Sequence, residues 1–288
     1  MSKSDLLKLQ VQQRKTLKHL QGLPARTASA AVYSLLGAEP VEAIIDRNRI
    51  SLFYNIARLQ GSTEQKILKR QLIVSDHNSS SIASSMRRTL EKYNLPSAET
   101  ILECPPEKET WKNTTRKAID DYWAIQWKEE IQSKSSLKHL QLQDNPTKNP
   151  HNIWKVVKPR IHETQRAEIK ARLLTDTYVL QTNTARFNQN TVDKTCRLCN
   201  VEEETLEHFV LYCRALQNVR TEHIERIQSL VSVRLEDPDI ILQLILDCTH
   251  ERLRNIIPLS PNQIRDIERC SQVLCYKLHS TRSLLLTS

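Results

Sequence analysis

The chain has 288 residues, with 42 Lys and Arg against 33 Asp and Glu, a net charge of +9 and a pI of 9.2. Glycine occurs only at positions 22, 37 and 61, against about 7% in ordinary proteins, so tight-turned sheets and glycine-rich phosphate loops, which need positive φ, are excluded. At 39% hydrophobic and 26% charged residues, the composition fits an all-α chain, an irregular multi-helix assembly with thin core layers.

Apolar residues with helical spacing occupy 6–20 and stop at Gly22-Leu23-Pro24. Thr27 is the expected N-cap of a short helix, 28–36, which Gly37 closes. Pro40 suits the first turn of the next helix, which carries Ile44, Ile45, Leu52, Ile56 and Leu59 before Gly61. The pattern returns at 64–73 and 82–93, with the polar run 76–81 as a loop between them. Pro96 and Pro105-Pro106 interrupt the chain, and 109–134 reads as one long helix bearing Trp111, Trp123 and Trp127. Residues 144–150 have no periodicity and two prolines. The expected division is therefore a helical region at 1–143, a linker at 144–151 and a second helical domain at 152–288. In the second domain, helical patterns cover 152–157 and 163–180, and three more follow a cysteine cluster. Ser260 and Gln263 form a capping box around Pro261, opening a helix towards Leu285.

The seven cysteines make an odd number, and no apolar run follows the first residues, so a secretory signal is not expected. The longest apolar stretches, such as 240–246, are far too short for a membrane span. An intracellular protein, nuclear or cytoplasmic, is the expectation, and in a reducing compartment clustered cysteines read as metal ligands.

The cluster is a C-x2-C-x8-H-x4-C pattern made by Cys196, Cys199, His208 and Cys213. A C-x2-C turn places two sulfurs on one side of a cation, and a second pair completes a tetrahedron. Three thiolates and an imidazole favour one structural Zn²⁺, in a small CCHC module at about 165–220. His223 is a substitute ligand. Cys104, Cys248, Cys270 and Cys275 lack pair geometry and read as small core residues.

A basic chain favours polyanions, and residues 1–72 alone hold 12 Lys/Arg against 5 Asp/Glu. Glu202, Glu203, Glu204 and Glu207 crowd the loop between the ligand pairs and would repel phosphate. RNA or DNA is therefore expected on the flank formed by Lys170, Arg172, Arg186, Lys194 and Arg197. Phe187, Phe209 and Tyr212 could stack on bases, although Leu206, Phe209 and Val210 read first as packing.

No catalytic centre emerges. Asp120-Asp121 lies in a helical pattern and reads as a solvated face. Glu236-Asp237-Pro238-Asp239 reads as a loop and helix start, and neither a Ser/His/Asp grouping nor H-E-x-x-H occurs. The chain is not expected to be an enzyme or to take a small-molecule substrate.

Two stretches resemble the region downstream of the polymerase in non-LTR (LINE-type) retrotransposon polyproteins. Residues 12–43, with Gln-Gly-Leu-Pro-Ala-Arg at 21–26, are similar to the helical segment after the palm and thumb. Residues 170–213, with Lys-Ala-Arg-Leu-Leu-Thr-Asp at 170–176 and Ala-Arg-Phe-Asn at 185–188, resemble the reverse-transcriptase zinc-binding domain and its lead-in helix. With the tryptophan-bearing middle, the resemblance covers most of the chain. It implies zinc ligation by Cys196, Cys199, His208 and Cys213, handling of RNA or target DNA, and a protein partner in the polymerase portion of a retroelement. The chain departs from the family in carrying Asp176 where the lead-in has a glycine, and in having no palm aspartate motif and no endonuclease. The other readings are a helical protein-interaction module in which zinc is purely structural, and a non-functional remnant.

Overall fold

The structure, a computed structural model, describes residues 3–75, 81–231 and 233–287, so most of the expected loop at 76–81 lies outside it. Among the described residues there are helices and one isolated antiparallel bridge, Thr195 to Glu203, but no strand. In chain order the α-helices are α1 (Lys3–Leu20), α2 (Ser29–Leu36), α3 (Val41–Arg58), α4 (Thr63–Val74), α5 (Ile82–Lys92), α6 (Ala98–Glu103) and α7 (Lys108–Ser133). They continue with α8 (Asn152–Lys155), α9 (Ile161–Leu174), α10 (Gln181–Phe187), α11 (Gln217–Ser229), α12 (Pro238–Leu246), α13 (Glu251–Arg254) and α14 (Pro261–Thr287). None of these helices is long and apolar enough to cross a membrane.

Scarce glycine forces other residues to end the helices. After α5 and α9 the left-handed position falls to Asn94 (φ 52°) and Asp176 (φ 51°), and after α1 to Gly22 (φ 61°). At each, two backbone N–H groups fold back onto the last turn. At Asp176 these are Asp176 to Leu173 O and Thr177 to Arg172 O, at 3.2 and 2.9 Å. This is the Schellman closure, and Asn and Asp tolerate it because their short side chains hydrogen-bond locally. The expected helix 163–180 for this reason ends at Leu174, and α10 begins only at Gln181.

Other caps follow the sequence more closely. Ser260 and Gln263 form the expected reciprocal box, Gln263 N–H to Ser260 Oγ at 3.3 Å and Ser260 N–H to Gln263 Oε1 at 3.0 Å. Asp237 caps α12, with Pro238 as its first residue. Thr27 does not cap α2. Ala28 holds that position without a side-chain bond, and Thr27 is buried behind it.

The chain forms two compact units, 1–13 with 39–126, and 14–38 with 127–288. The first is built on Ile50, Phe53, Leu68, Leu90, Ile101 and Ile119, with Tyr54 stacked on Trp111 at 5.6 Å. Its polar centre is Lys92, whose Nζ lies 2.6 Å from Glu42 Oε1 and 2.9 Å from Asp46 Oδ2. The rings of Tyr93, Tyr122 and Trp123 face the same ammonium at 4.8–5.3 Å. Burial opposes its charge, but the two carboxylates and Tyr93 outweigh that and raise its pKa above the ordinary lysine value.

In the second unit α14 packs along α9 and α11, over a core that includes Leu173, Leu180, Phe209, Leu244, Leu274 and Leu278. The stretch expected as a linker, 144–151, belongs to this unit. His151 N–H bonds to Leu35 O at 2.9 Å, and its Nε2 meets Asp247 Oδ2 at 3.0 Å with both side chains buried. His151 Nδ1 accepts from the Ile153 N–H, so both ring nitrogens are engaged in holding the segment. Burial alone would raise the Asp247 carboxyl; His151, Thr249 and the Gln141 N–H instead hold it well below the usual carboxylate range. Leu137, Leu140 and Ile153, on either side of the segment, lie in the same core cluster. Lack of periodicity in a docked loop resembles lack of periodicity in a linker, which explains the misplaced boundary.

Gly37 is where this segment passes closest. A Cβ there would lie 2.6 Å from the backbone of Asn149 and Pro150, and its φ is +62°; Gly61 has φ +77° but open space around it. Gly61→Ala should therefore cost only the left-handed strain, about 1–2 kcal/mol. Gly37→Ala should cost more, because backbone atoms must move apart as well. Urea unfolding of both variants checks the difference, and equal losses would show that the segment is not clamped at Gly37.

Candidate metal centre

The ligand residues sit on two short, tightly closed pieces of chain. In the first, Cys196 N–H bonds to Glu202 O and Glu204 N–H to Lys194 O, both at 2.8 Å, while Asn200 takes a left-handed φ of 54°. This small loop brings Cys196 and Cys199 to one side. In the second, residues 208–212 form a single wide turn in which Cys213 N–H reaches back five residues to His208 O at 2.7 Å. Such π-type turns are rare and cluster at functional positions. This one turns His208 and Cys213 towards the same point.

The result is a quartet. Cys196, Cys199, His208 and Cys213 are all buried, and their ligand atoms lie within 4.8 Å of one another. Cys196 Sγ is 3.8 Å from Cys213 Sγ, and Cys199 Sγ is 3.4 Å from His208 Nε2. A tetrahedral centre bound about 2.3 Å from sulfur and about 2.0–2.1 Å from nitrogen has edges of about 3.8 Å (S–S) and about 3.5 Å (S–N). The quartet can hold one metal ion. His223, the substitute ligand, lies on α11 and is not part of it.

The surroundings match that use. His208 presents Nε2 to the sulfurs and is held through Nδ1 by Glu202 Oε2 at 2.8 Å, the carboxylate support that fixes the ring of a metal-bound histidine. Burial raises the Cys196 and Cys213 thiols, Cys213 to about 12. Burial also opposes ionisation of Cys199, but the Glu202 and Val201 N–H groups aimed at its sulfur bring it down to about 7.

Three residues that pattern reading did not single out hold this arrangement together. Arg220, buried on α11, donates to Val210 O at 2.7 Å and Cys213 O at 2.9 Å, satisfying carbonyls of the wide turn. Arg214 reaches Cys199 O at 3.2 Å. Arg282 on α14 clasps buried Glu204 at 2.7 and 2.9 Å, and Glu204 also accepts the Gln181 N–H at the start of α10. Arginines in a helix read as surface positions, so no sequence signal marked them. Phe209 and Val210 are core residues, as their packing reading expected, with Phe209 stacked on Tyr178 at 5.5 Å. Glu202 and Glu204 are thus engaged internally, and the acidic loop is less repulsive than its sequence implies.

The five basic positions expected on the flank separate. Lys170 is fully buried, its Nζ 2.7 Å from both Glu268 Oε1 and Ser271 Oγ, so it cannot meet a polyanion. Half-buried Arg172 donates to Gly22 O at 2.6 Å. Arg186 is exposed and lies 3.0 Å from Asp176 Oδ2. Lys194 is half-buried and Arg197 exposed. Arg186 and Lys194 line one cleft of about 640 Å³, in company with Glu203 and Glu207.

Elsewhere, Asp120 is buried and Asp121 exposed, so the pair is not the solvated face expected of it. Cys248 and Cys275 are buried and Cys270 half-buried, as core residues should be, whereas Cys104 is exposed. No family model matches the chain, and comparison with curated proteins and with solved structures likewise finds no match.

Two outcomes are expected. Glu202→Gln should weaken metal binding by about 10- to 100-fold, measured by competition with a chromophoric chelator, while an unchanged affinity would remove Glu202 from the site. Lys170→Met should lose about 3–5 kcal/mol in urea because it strands a buried carboxylate, and adding Glu268→Leu should restore most of it. A neutral single variant would mean that the pair is not desolvated.

Proposed function

We propose that the chain is a non-catalytic, zinc-binding and nucleic-acid-binding fragment derived from a non-LTR retrotransposon reverse transcriptase. The observation that carries the zinc assignment is the closed quartet itself. Three sulfurs and one imidazole at tetrahedral spacing suit Zn²⁺, and four protein ligands leave no position for a reacting water. The metal then serves the fold. Thiols used as ligands fit a reducing, intracellular setting.

The nucleic-acid part is supported by the net charge of +9, by the exposed Arg186, and by the exposed Arg197 between two of the ligand cysteines. The retroelement origin is supported by the resemblance of residues 12–43 and 170–213. It gains from Asp176, which takes the left-handed conformation (φ 51°) that the family's glycine adopts freely.

One observation favours the second reading, a module for protein partners. In the first unit Ile67, Ile73, Val74 and Ile82 are more than half exposed, the kind of apolar surface that a partner such as a polymerase portion would cover.

The zinc reading predicts one Zn²⁺ per chain by elemental analysis, and loss of second-unit structure in Cys199→Ser, because metal binding energy is folding energy in such sites. Circular dichroism and melting identical to the parent would end it. Anisotropy titration of the zinc-loaded protein with structured RNA and duplex DNA, at two salt concentrations, tests the rest. Binding that weakens steeply with salt supports the proposal, and no binding at either concentration shifts the assignment to the protein-interaction module.

A further inference from the structure

Phe187 ends α10 with its side chain half exposed, an unusual place for one of only 3 phenylalanines in the chain. The Arg26 guanidinium lies over its ring, 3.9 Å from the centroid, and the Arg186 guanidinium is 5.7 Å from the same centroid. Arg26 is anchored through a 3.0 Å bond to Thr177 O, so the stack is held in place from the second unit's own backbone. These three side chains, with Lys134, Ser135 and Ser136, line a cleft of about 450 Å³.

The charge balance in the cleft is unfavourable as it stands. Partial burial and the proximity of Arg186 both oppose the charge on Arg26, and Asp176 is the carboxylate set against them. Asp176 is already engaged by Arg186 and by Asn183 Nδ2 at 2.9 Å. Lys134 pairs with Glu130 at 2.6 Å on the cleft's edge. One guanidinium stacked on the ring and a second 5.7 Å from its centroid, with hydroxyls beside them, suit a bound anion that also has a flat face.

We propose that this cleft seats one nucleotide of a single-stranded nucleic acid, with its phosphate on Arg26 and Arg186 and its base on the Arg26–Phe187 stack. The inference rests on the nucleic-acid reading above and places contact at residues brought together from distant parts of the chain. A single strand is favoured because its bases are free to stack on an aromatic or guanidinium face, which a duplex does not allow. An acidic peptide would use the guanidiniums and leave the exposed part of the ring uncovered.

The adjoining cleft extends the track. It shares Ser135, Ser136, Asp176 and Arg186 with the first and adds Lys138 and Lys194. Because Glu203, Glu207 and Asp239 also line that end, the strongest phosphate contact belongs at Arg26 and Arg186.

The test uses the intact zinc-loaded protein and a short fluorescent single-stranded oligonucleotide at several salt concentrations. Phe187→Leu should weaken binding by about 5- to 100-fold with the salt slope unchanged, and Phe187→Tyr, which keeps the platform, should bind like the parent. Arg26→Gln should weaken binding and lower the slope by about 0.7, the value of one phosphate contact on a single strand. Arg269→Gln, exposed on α14, serves as the control, and melting curves verify that each variant is folded. If the parent binds and the Phe187 and Arg26 variants match it, the cleft assignment is overturned while the nucleic-acid reading stands. If the parent binds nothing at any salt, that reading falls with it. Equal losses for a polyglutamate probe, or for duplex DNA, would overturn the single-strand assignment.

Discussion

Three sulfurs and an imidazole nitrogen within 4.8 Å of one another form an arrangement that a polypeptide has little reason to build without a cation. Thiolates at that distance repel, and neutral thiols are poor hydrogen-bond partners. Much of the second unit can be traced to keeping the four atoms together. The wide turn at 208–212 leaves carbonyls without regular helical partners, and Arg220 satisfies them from α11. Glu204 ends the knuckle loop, and Arg282 of α14 secures it by two hydrogen bonds. Cys196, Cys199 and Cys213 belong to the same apolar cluster as Leu173, Leu274 and Leu278. The site is therefore part of the core, and the expected small module has no separate interior.

The same architecture redistributes charge. A net charge of +9 describes the chain and not its surface. Arg220, buried and bonded to carbonyls, is withdrawn from direct contact. Lys170 and Arg282 are buried and each is paired with a carboxylate, so these two cations add little to long-range attraction. Glu204 and Glu268 are buried against them. Ion pairs of this kind add little net stability, but each strongly penalises any packing that separates its members. They act as registration pins between α14 and the elements beneath it.

Much of the site was legible because metal ligation depends on residue type and spacing alone. The C-x2-C-x8-H-x4-C pattern located all four atoms, and the Ser260–Gln263 box located the start of α14. Legibility ended where tertiary context decided. Residues 163–180 look like one helix because the apolar period runs through Asp176; the break lies in its left-handed φ and backbone closure, with Asn183 and Arg186 bonded to its side chain. Lys170 looks like a surface cation because lysine is almost never fully buried, and Glu268, 98 residues away, is what makes it an exception. The segment 144–151 reads as a linker because a loop docked by Gly37, Leu35 and Asp247 has no period to detect.

The metal centre and the Arg26–Phe187 stack are connected through α10. That helix has 7 residues, too few to persist by itself, and its N-terminus carries no side-chain cap of its own. Glu204 supplies what is missing. Its carboxylate accepts the Gln181 N–H at 2.8 Å, and its carbonyl accepts the Thr182 hydroxyl at 2.8 Å. An anion at a helix N-terminus is favourable by the backbone dipole as well as by the hydrogen bond. Glu204 is in turn fixed by its place in the knuckle loop, where its N–H bonds to Lys194 O. Phe187 lies at the other end of the same short helix, so its position is set by a chain of contacts that begins at the ligand loop. If the quartet holds a metal ion, a ligand loop that opened without it would free the Glu204 carboxylate, and with it the cap that keeps α10 formed. A metal ion on the quartet would in this way govern the placement of the Phe187 ring without touching anything that binds there.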